Sequence, residues 1–483
     1  MSFRHLVFTI SVVLLVFSTA LFACTLVAWS YGGEDAQAFL ITTLVAAVLG
    51  GLGVGFGRME GSLTIREGYA VVSCTWIVVG VVGALPYLLS GVVSHPVAAL
   101  FESVSGFTTT GATVFGDVDA LPRGILFWRS LTQWLGGMGI ILLGVAILPF
   151  LGVGGMHLFR AEVPGPTPER LSPRIGQTAK LLWYVYTGMT ALLFVLLLIG
   201  GLSPFDALNH AFTTMPTGGF STRTESAAAF GLPFVQYTLI AFMYLAGVNF
   251  VLHFHALSGK LRAYLVSAEW RFYTGALVIG TLVVFALALT SEASAGTGLE
   301  RTFRDALFQT VSVGTTTGFV SFDYGLWPLG AQLVLVTLMF MGGMAGSTGG
   351  GIKSMRIYVL LRAGISDLRR NLHPRAIVVT VMGNKALEES ELLNILGFVL
   401  LFLGIFFGGV LALAILGHDL STSIGASVAS IANIGPGLGA VGAVENYGWM
   451  SPPSHLVLVA LMIVGRLEIF TVLLLFHPDL WRG

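Results

Sequence analysis

Residues 98–116 read AALFESVSGFTTTGATVFG, and the same design returns along the chain. Residues 206–222 read DALNHAFTTMPTGGFST, residues 305–323 read DALFQTVSVGTTTGFVSFD, and residues 423–442 read SIGASVASIANIGPGLGAVG. In the first three copies an Ala-Leu pair stands at a constant separation from a glycine: Ala99 to Gly111, Ala207 to Gly219, Ala306 to Gly318. A stretch able to form a short helix therefore leads each time into a Thr/Gly loop at the same register. The fourth copy, with Asn433-Ile434-Gly435-Pro436, keeps the glycine but not the threonines. An internal repeat has to be read before any local feature, because it sets the architecture.

Outward from these loops the chain is apolar. Of 483 residues, 55% are hydrophobic and only 10% charged, against about 25% charged in soluble domains. Apolar runs fall at about 6–29, 38–57, 68–91, 124–150, 181–201, 233–256, 273–290, 328–345, 391–416 and 454–476. Each is close to the ~20 residues that cross a bilayer as a helix. The four Thr/Gly segments lie between runs three and four, five and six, seven and eight, and nine and ten. They are too short to cross and return as helices, which predicts re-entrant structure. The expected fold is an all-α polytopic membrane protein of ten transmembrane helices. Eight of these form four span–loop–span repeats in pseudo-fourfold arrangement, with re-entrant pore helices. The units are 1–66 (an N-terminal two-helix unit), 67–156, 157–272, 273–385 and 386–483. Leu21-Phe22-Ala23-Cys24 is a poor lipoprotein cleavage box because Phe22 is bulky, and the run 6–29 exceeds a signal-peptide core, so it reads as a retained span. Cys24 and Cys74, both in apolar runs, offer neither a disulfide framework nor metal-ligand spacing.

Net charge is zero, but its distribution is not even. With a cytoplasmic N-terminus and ten alternating spans, 18 of the 24 Lys and Arg residues fall inside, including Arg58, Arg160, Lys260, Lys353, Arg362, Arg369 and Arg370. Arg123, Arg129, Arg223, Arg301 and Arg304 fall outside, and Arg466 lies within the last run. This positive-inside pattern puts all four Thr/Gly loops, and both termini, on defined sides. Thirteen acids, among them Glu102, Asp206, Asp305 and Glu445, share the outer face with those five bases. A negative mouth concentrates cations; ordinary solvated loop charge explains the same count, since the basic bias arises from membrane insertion alone.

The loop chemistry points to a dehydrated monovalent cation. Such an ion needs several oxygen ligands, and main-chain carbonyls can replace its water shell. Turning successive carbonyls inward requires non-helical geometry with positive φ, which glycine adopts without steric cost. Threonine hydroxyls satisfy neighbouring main-chain groups. Irregular backbone at membrane depth is tolerated only where it is buried or lines a wet cavity, and the preceding short helix directs its partly negative end at the ion. A single TTTG reads more readily as a turn or a helix-packing patch of small residues. Four of them, in four span–loop–span units, build a pore around one axis.

TTTGAT, PTGGFST, TTTGFVS and NIGPGLG, each between two spans, resemble the Trk/Ktr/HKT superfamily of potassium transporters over essentially the whole chain. The extra N-terminal two-helix unit and a glycine loop after span eight resemble the bacterial TrkH branch most closely. The resemblance implies potassium uptake across the bacterial inner membrane, with K+ as the transported ion, no covalently bound cofactor and no enzymatic activity. It places the selectivity filter on Gly111, Gly219, Gly318 and Gly435 with their predecessors Thr110, Gly218, Thr317 and Ile434. Glycine at all four positions is similar to potassium-selective members, and Ile434 and Pro436 depart from the pattern. It also implies a homodimer working with a cytosolic, TrkA-type NAD/ATP-binding regulatory subunit, which the basic stretch 353–375 or the loop 157–180 would meet.

After span eight comes MGGMAGSTGGGIKSMR, residues 341–356. A phosphate-binding loop is disfavoured, because Ile352 separates the last glycine from Lys353 and no strand precedes it. What stays open is a flexible link or an intramembrane constriction, since such small residues do not hold a helix. The resemblance implies the latter: a gate on Gly346, Ser347, Thr348, Gly349, Gly350 and Gly351, with Lys353 nearby. Arg466, in VGRLEIF, is a charge at a costly depth. It is read as a barrier facing the permeation path, or else as an ion-pair partner of Glu468 or a snorkelling residue. A coupled transporter with broken helices predicts two inverted repeats instead of four same-sense ones, although coupling to H+ or Na+ through the same sites remains the alternative. A membrane enzyme needs clustered His, Asp, Cys or Ser at depth, and the ten histidines are scattered.

Overall fold

In the computed structural model, residues 3–57, 65–146, 171–375, 379–383 and 385–478 are described. The boundary expected at 156/157 and most of the loop 157–180, with Arg160, lie outside them, as does Arg58. The chain is overwhelmingly helical; the departure is an antiparallel pairing of Val381–Met382 with Lys385–Ala386.

Among the described residues six helices are long and apolar enough to cross a membrane: Phe3–Ser30, Ala36–Phe56, Glu67–Leu89, Thr178–Ile199, Ala268–Ala288 and Glu389–Ile415. Two helix pairs are long and apolar enough only together and are bent at a short break, Pro233–Ala246 with Phe250–Leu257 at 103° and Pro452–Arg466 with Phe470–Phe476 at 112°, where the sixth and tenth spans are expected. The fourth expected span begins as the helix Arg123–Ala146. The eighth is shorter than expected: Leu329–Met341 ends where Gly342, at φ 66°, turns the chain out of the helix. Large apolar side chains face outward in rows, such as Leu44, Val48, Leu52 and Phe56, or Leu400, Phe407, Leu411 and Ile415. Exposed apolar surface on this scale suits a hydrocarbon solvent.

The first two helices pack on one another where glycine allows it; a Cβ on Gly53 would lie 1.9 Å from Ser11 Oγ. They share an apolar core with residues 65–146, built on Phe17, Phe39, Phe107 and Trp128. A second core joins the helices between Leu171 and Ala246, and a third unites the C-terminal half. Between successive spans stand four short helices, Pro96–Phe107, Pro204–Thr214, Leu299–Gly314 and Leu420–Ile431. Capping side chains fix three of the starts: His95 with Pro96 at the first turn, Ser203 with Pro204, and Asp419, whose side chain accepts from Thr422 N at 3.0 Å. All four run inward and deliver a Thr/Gly loop to the centre of the molecule.

Candidate ion pathway

The four loops share one backbone conformation. The residue two before each glycine is left-handed, at φ 53° for Thr109, 55° for Thr217, 63° for Thr316 and 56° for Asn433. The glycines themselves stand at φ 80° (Gly111), 77° (Gly219), 83° (Gly318) and 97° (Gly435). Left-handed geometry costs a non-glycine residue about 1–2 kcal/mol, and its fourfold recurrence marks an enforced shape. The intervening N–H turns back to the helix just ended. Thr110 N donates to Ser105 O (2.9 Å), Gly218 N to Thr213 O (2.9 Å), Thr317 N to Ser312 O (2.8 Å) and Ile434 N to Ala429 O (2.8 Å). The fourth loop therefore differs from the others in its side chains and not in its main chain.

These loops meet, and they close a ring. A Cβ on Gly111 would lie 2.1 Å from Gly218 O, one on Gly219 2.0 Å from Thr317 O, one on Gly318 1.8 Å from Ile434 O, and one on Gly435 2.7 Å from Thr110 O. Each glycine thus abuts the carbonyl of the residue preceding the next glycine, around four quadrants and back to the first. All eight residues expected at the filter come together here, and all four glycines line one opening, with Phe220, Glu445 and Tyr447. Two of the carbonyls also accept side-chain hydrogen bonds: Gly218 O from Gln133 Nε2 (2.7 Å) and Gly435 O from the Tyr447 hydroxyl (2.7 Å).

Threonine hydroxyls brace the first and third loops identically. Thr108 and Thr110 share a bond of 2.8 Å, Thr315 and Thr317 one of 2.7 Å. Ser105 and Ser312 reach across to Ala112 O and Phe319 O. The second loop is braced from outside by one stripe of the helix Arg123–Ala146. Arg129 donates to Ser221 O (3.0 Å), Gln133 clasps Gly218 and Phe220, and Gly137 admits Pro216. Arg129 and Glu102 are expected from the sequence among the outer-face charges. They are instead a buried pair, Arg129 Nε to Glu102 Oε1 at 2.8 Å, with Arg129 over the Phe220 ring. Asp206 and Asp119 both pair with Arg223. Hydrogen bonds from Thr224, its main chain first, hold the Asp119 carboxyl below the usual carboxylate range. The opening's own lining carries Glu445 beside Arg129 and Arg223, and five of the thirteen acids expected on the outer face, Glu102, Asp119, Asp206, Glu300 and Asp305, stand in ion pairs.

On the opposite side of the ring lies the glycine loop after Leu329–Met341. Gly350 N donates to Thr316 Oγ1 (2.7 Å), and a Cβ on Gly350 would sit 2.1 Å from Ala432 O. Thr348 Oγ1 donates to Met215 O (3.0 Å) and Ala246 O (3.2 Å). The segment is thus neither a free link nor solvent-exposed: it is pressed against the starts of the second, third and fourth loops. Its main chain docks into the break of the sixth span, where Phe250 N donates to Gly346 O (3.1 Å) and Met344 N to Gly247 O (2.8 Å). Asn249, which carried no expected role, caps the helix beyond that break, and Glu269 Oε1 accepts from both ends of the segment, Ala345 N (2.7 Å) and Ser354 Oγ (3.0 Å). The buried Lys353 Nζ donates to Gly349 O.

Arg466 is 2% exposed and donates to Thr348 O at 2.8 Å and to Gly136 O at 3.4 Å. Among the described residues its bonds go to main chain; Glu468 pairs with Arg356, whose guanidinium also lies over Phe398. The ion-pair reading of Arg466 with Glu468, and snorkelling with it, therefore give way to a bonded clasp on the glycine segment. Just beyond, Glu468 (φ 56°) and the β-branched Ile469 (φ 54°) hold the 112° bend in a conformation such residues rarely adopt. Glu269, Arg356 and Glu468 were legible only as charges in or beside apolar runs, and Gln133 as a polar residue one turn from Arg129. Lys353 and Arg356 are both buried, so the basic stretch 353–375 presents its exposed charge from Arg362 onward.

A profile of the family described as "TrkH: Cation transport protein" matches residues 35–482. The chain is 41% identical over 490 residues to the Trk system potassium uptake protein TrkH of Escherichia coli (strain K12), with 100% of both covered. It is 35% identical to the Trk system potassium uptake protein TrkI of Halomonas elongata, over 88% of this chain and 86% of that one. The fold superposes on the crystal structure of the potassium transporter TrkH from Vibrio parahaemolyticus with a TM-score of 0.91, at 37% identity and 100% coverage of each.

Proposed function

Because this chain belongs to the TrkH family of cation transport proteins, we propose that the closed ring of four glycine loops is the selectivity filter of a potassium uptake pathway. The protein is a membrane transporter and not an enzyme, and K+ is its cargo. The observation that carries the filter reading is the ring itself, in which Gly111, Gly219, Gly318 and Gly435 each meet the next quadrant's carbonyl. Carbonyls of Thr110, Gly218, Thr317 and Ile434, with those of the glycines, replace water around the ion. The ends of the four short helices add partial negative charge along the axis. With no room for a Cβ, the ring keeps a spacing that the protein's own backbone sets.

The units 67–156, 157–272, 273–385 and 386–483 each contribute one quadrant, and 1–66 packs outside the ring. Residues Gly346 to Gly351 close the path on the far side, held by Lys353 and by Arg466, whose charge opposes a passing cation. The filter opening faces outward and both termini lie in the cytoplasm of a bacterium whose inner membrane the chain crosses. It acts as a homodimer with a TrkA-type cytosolic subunit that binds NAD and ATP, docked near the exposed Arg362, Arg369 and Arg370.

Flux of rubidium and sodium into liposomes tests the filter. The parent admits rubidium in preference to sodium, and Gly111→Ser erodes that preference, because its Cβ meets Gly218 O. An unchanged ratio in Gly111→Ser, together with normal uptake after a bulky substitution at Gly318, would remove the filter from this ring.

A further inference from the structure

Three of the four filter quadrants are braced by side chains from the loops themselves. Thr108 holds Thr110 and Thr315 holds Thr317 through paired hydroxyls, and Asn433 Nδ2 ties the fourth quadrant to Thr110 Oγ1 (3.0 Å) and to Met462 O (3.0 Å). The second loop has Pro216 and Gly218 at the positions of the paired threonines. It supplies no hydroxyl there, yet its backbone angles match the others.

The missing side chain's place is taken. A Cβ on Gly218 would lie 2.3 Å from both Cδ and Oε1 of Gln133 and 2.8 Å from its Nε2. That carboxamide is fully buried; Nε2 donates to Gly218 O (2.7 Å) while Oε1 accepts from Phe220 N (3.1 Å). The two bonds fix the amide's orientation, since a carbonyl requires the N–H end and an N–H the oxygen end. Gln133 therefore spans Gly219 from behind and grips the main chain on either side of it. Gly218 O, the atom it holds, is also the one that abuts Gly111.

We propose that Gln133 is a positioning residue for the filter: its buried carboxamide stands in for the threonine that the second loop lacks, and it sets ion discrimination by fixing the Gly218 carbonyl. It touches no ion. It determines where one ligand oxygen stands, and the donated hydrogen bond competes with the ion for that oxygen's electron density. The inference rests on the filter reading above. It explains why Gly218 alone among the four predecessors is glycine, as a β-carbon and the amide cannot share the space.

The test is rubidium and sodium flux in liposomes for Gln133→Ala, Gln133→Glu, Gly218→Thr and the double variant Gln133→Ala with Gly218→Thr. Elution by size exclusion and thermal unfolding in detergent serve as fold controls. Gln133→Ala lowers the rubidium-to-sodium ratio by about fivefold, the factor one lost neutral hydrogen bond represents. Gln133→Glu, which keeps the acceptor for Phe220 N but loses the donor to Gly218 O, lowers it as well. Gly218→Thr alone loses uptake through the clash, and the double variant recovers both uptake and the ratio, because a threonine then occupies the vacated space. A parental ratio in a folded Gln133→Ala, or a double variant no better than Gly218→Thr, overturns the proposal. Gly318→Ser, which does not touch Gln133, separates the two layers. If it shifts the ratio while Gln133→Ala does not, only the role of Gln133 falls; if neither shifts it, the filter reading falls first.

Discussion

Replacing Arg466 by glutamine removes a clasp and a charge at once, and the two effects can be sized. Its bond to Thr348 O, 2.8 Å long and fully buried, is charge-assisted. Such bonds contribute about 1.5–3 kcal/mol, so losing it raises the population with a displaced glycine segment by roughly 10- to 150-fold if the closed state dominates. The lost charge adds to this, since a cation about 4 Å from a guanidinium meets ~4 kcal/mol of repulsion at an effective dielectric near 20. Rubidium flux through purified protein in liposomes, with no partner subunit, therefore rises by at least an order of magnitude in Arg466→Gln, as that bond estimate requires. Arg466→Lys separates the contributions: it keeps the charge but not the planar fork that reaches Thr348 O and Gly136 O together. Its flux falls between parent and Arg466→Gln. Basal flux in a folded Arg466→Gln equal to the parent's would refute both the clasp and the barrier.

Deleting residues 346–351 raises flux further than any single change at Arg466, because it removes the contacts to Thr316, Met215 and Ala432 together; liposome flux that stays at the parental level would show that the segment closes nothing. Glu102→Gln leaves Arg129 charged and buried without its partner, which costs about 3–5 kcal/mol and appears as a lower unfolding temperature in detergent. Pairing it with Arg129→Met restores much of that loss, whereas an unaltered melt of Glu102→Gln would make the buried pair dispensable.

The repeat was legible because its determinants are local. Positive φ at a fixed place demands glycine, and a short helix before it leaves a countable register from Ala99, Ala207 and Ala306. In the fourth loop Ile434 and Pro436 depart from the threonine pattern and obscure a main chain that turns like the rest. Spans with uniform hydropathy were found within a few residues. What hydropathy could not show were the breaks at Gly247–Asn249 and at Glu468–Ile469, since both halves of each bent span are equally apolar. Nor could spacing show that Phe250 N and Gly346 O meet, or that Gln133 fills the gap at Gly218. Those pairings join residues 85 positions or more apart, and only the closed ring brings them within reach. The burial of Arg129 and Glu102 was hidden for a related reason: both read as charges at the edges of apolar runs, yet each is buried against the other.

A ring assembled from four identical subunits changes everywhere when it changes at all, because one codon is read four times. Here each quarter has its own codons. Two quarters are braced by threonine pairs, one by a glutamine from a neighbouring helix, and one by an asparagine and a tyrosine. On the proposed filter reading, ion preference can therefore be altered one quarter at a time, through the side chains that brace a single wall, while the other three walls keep their own supports.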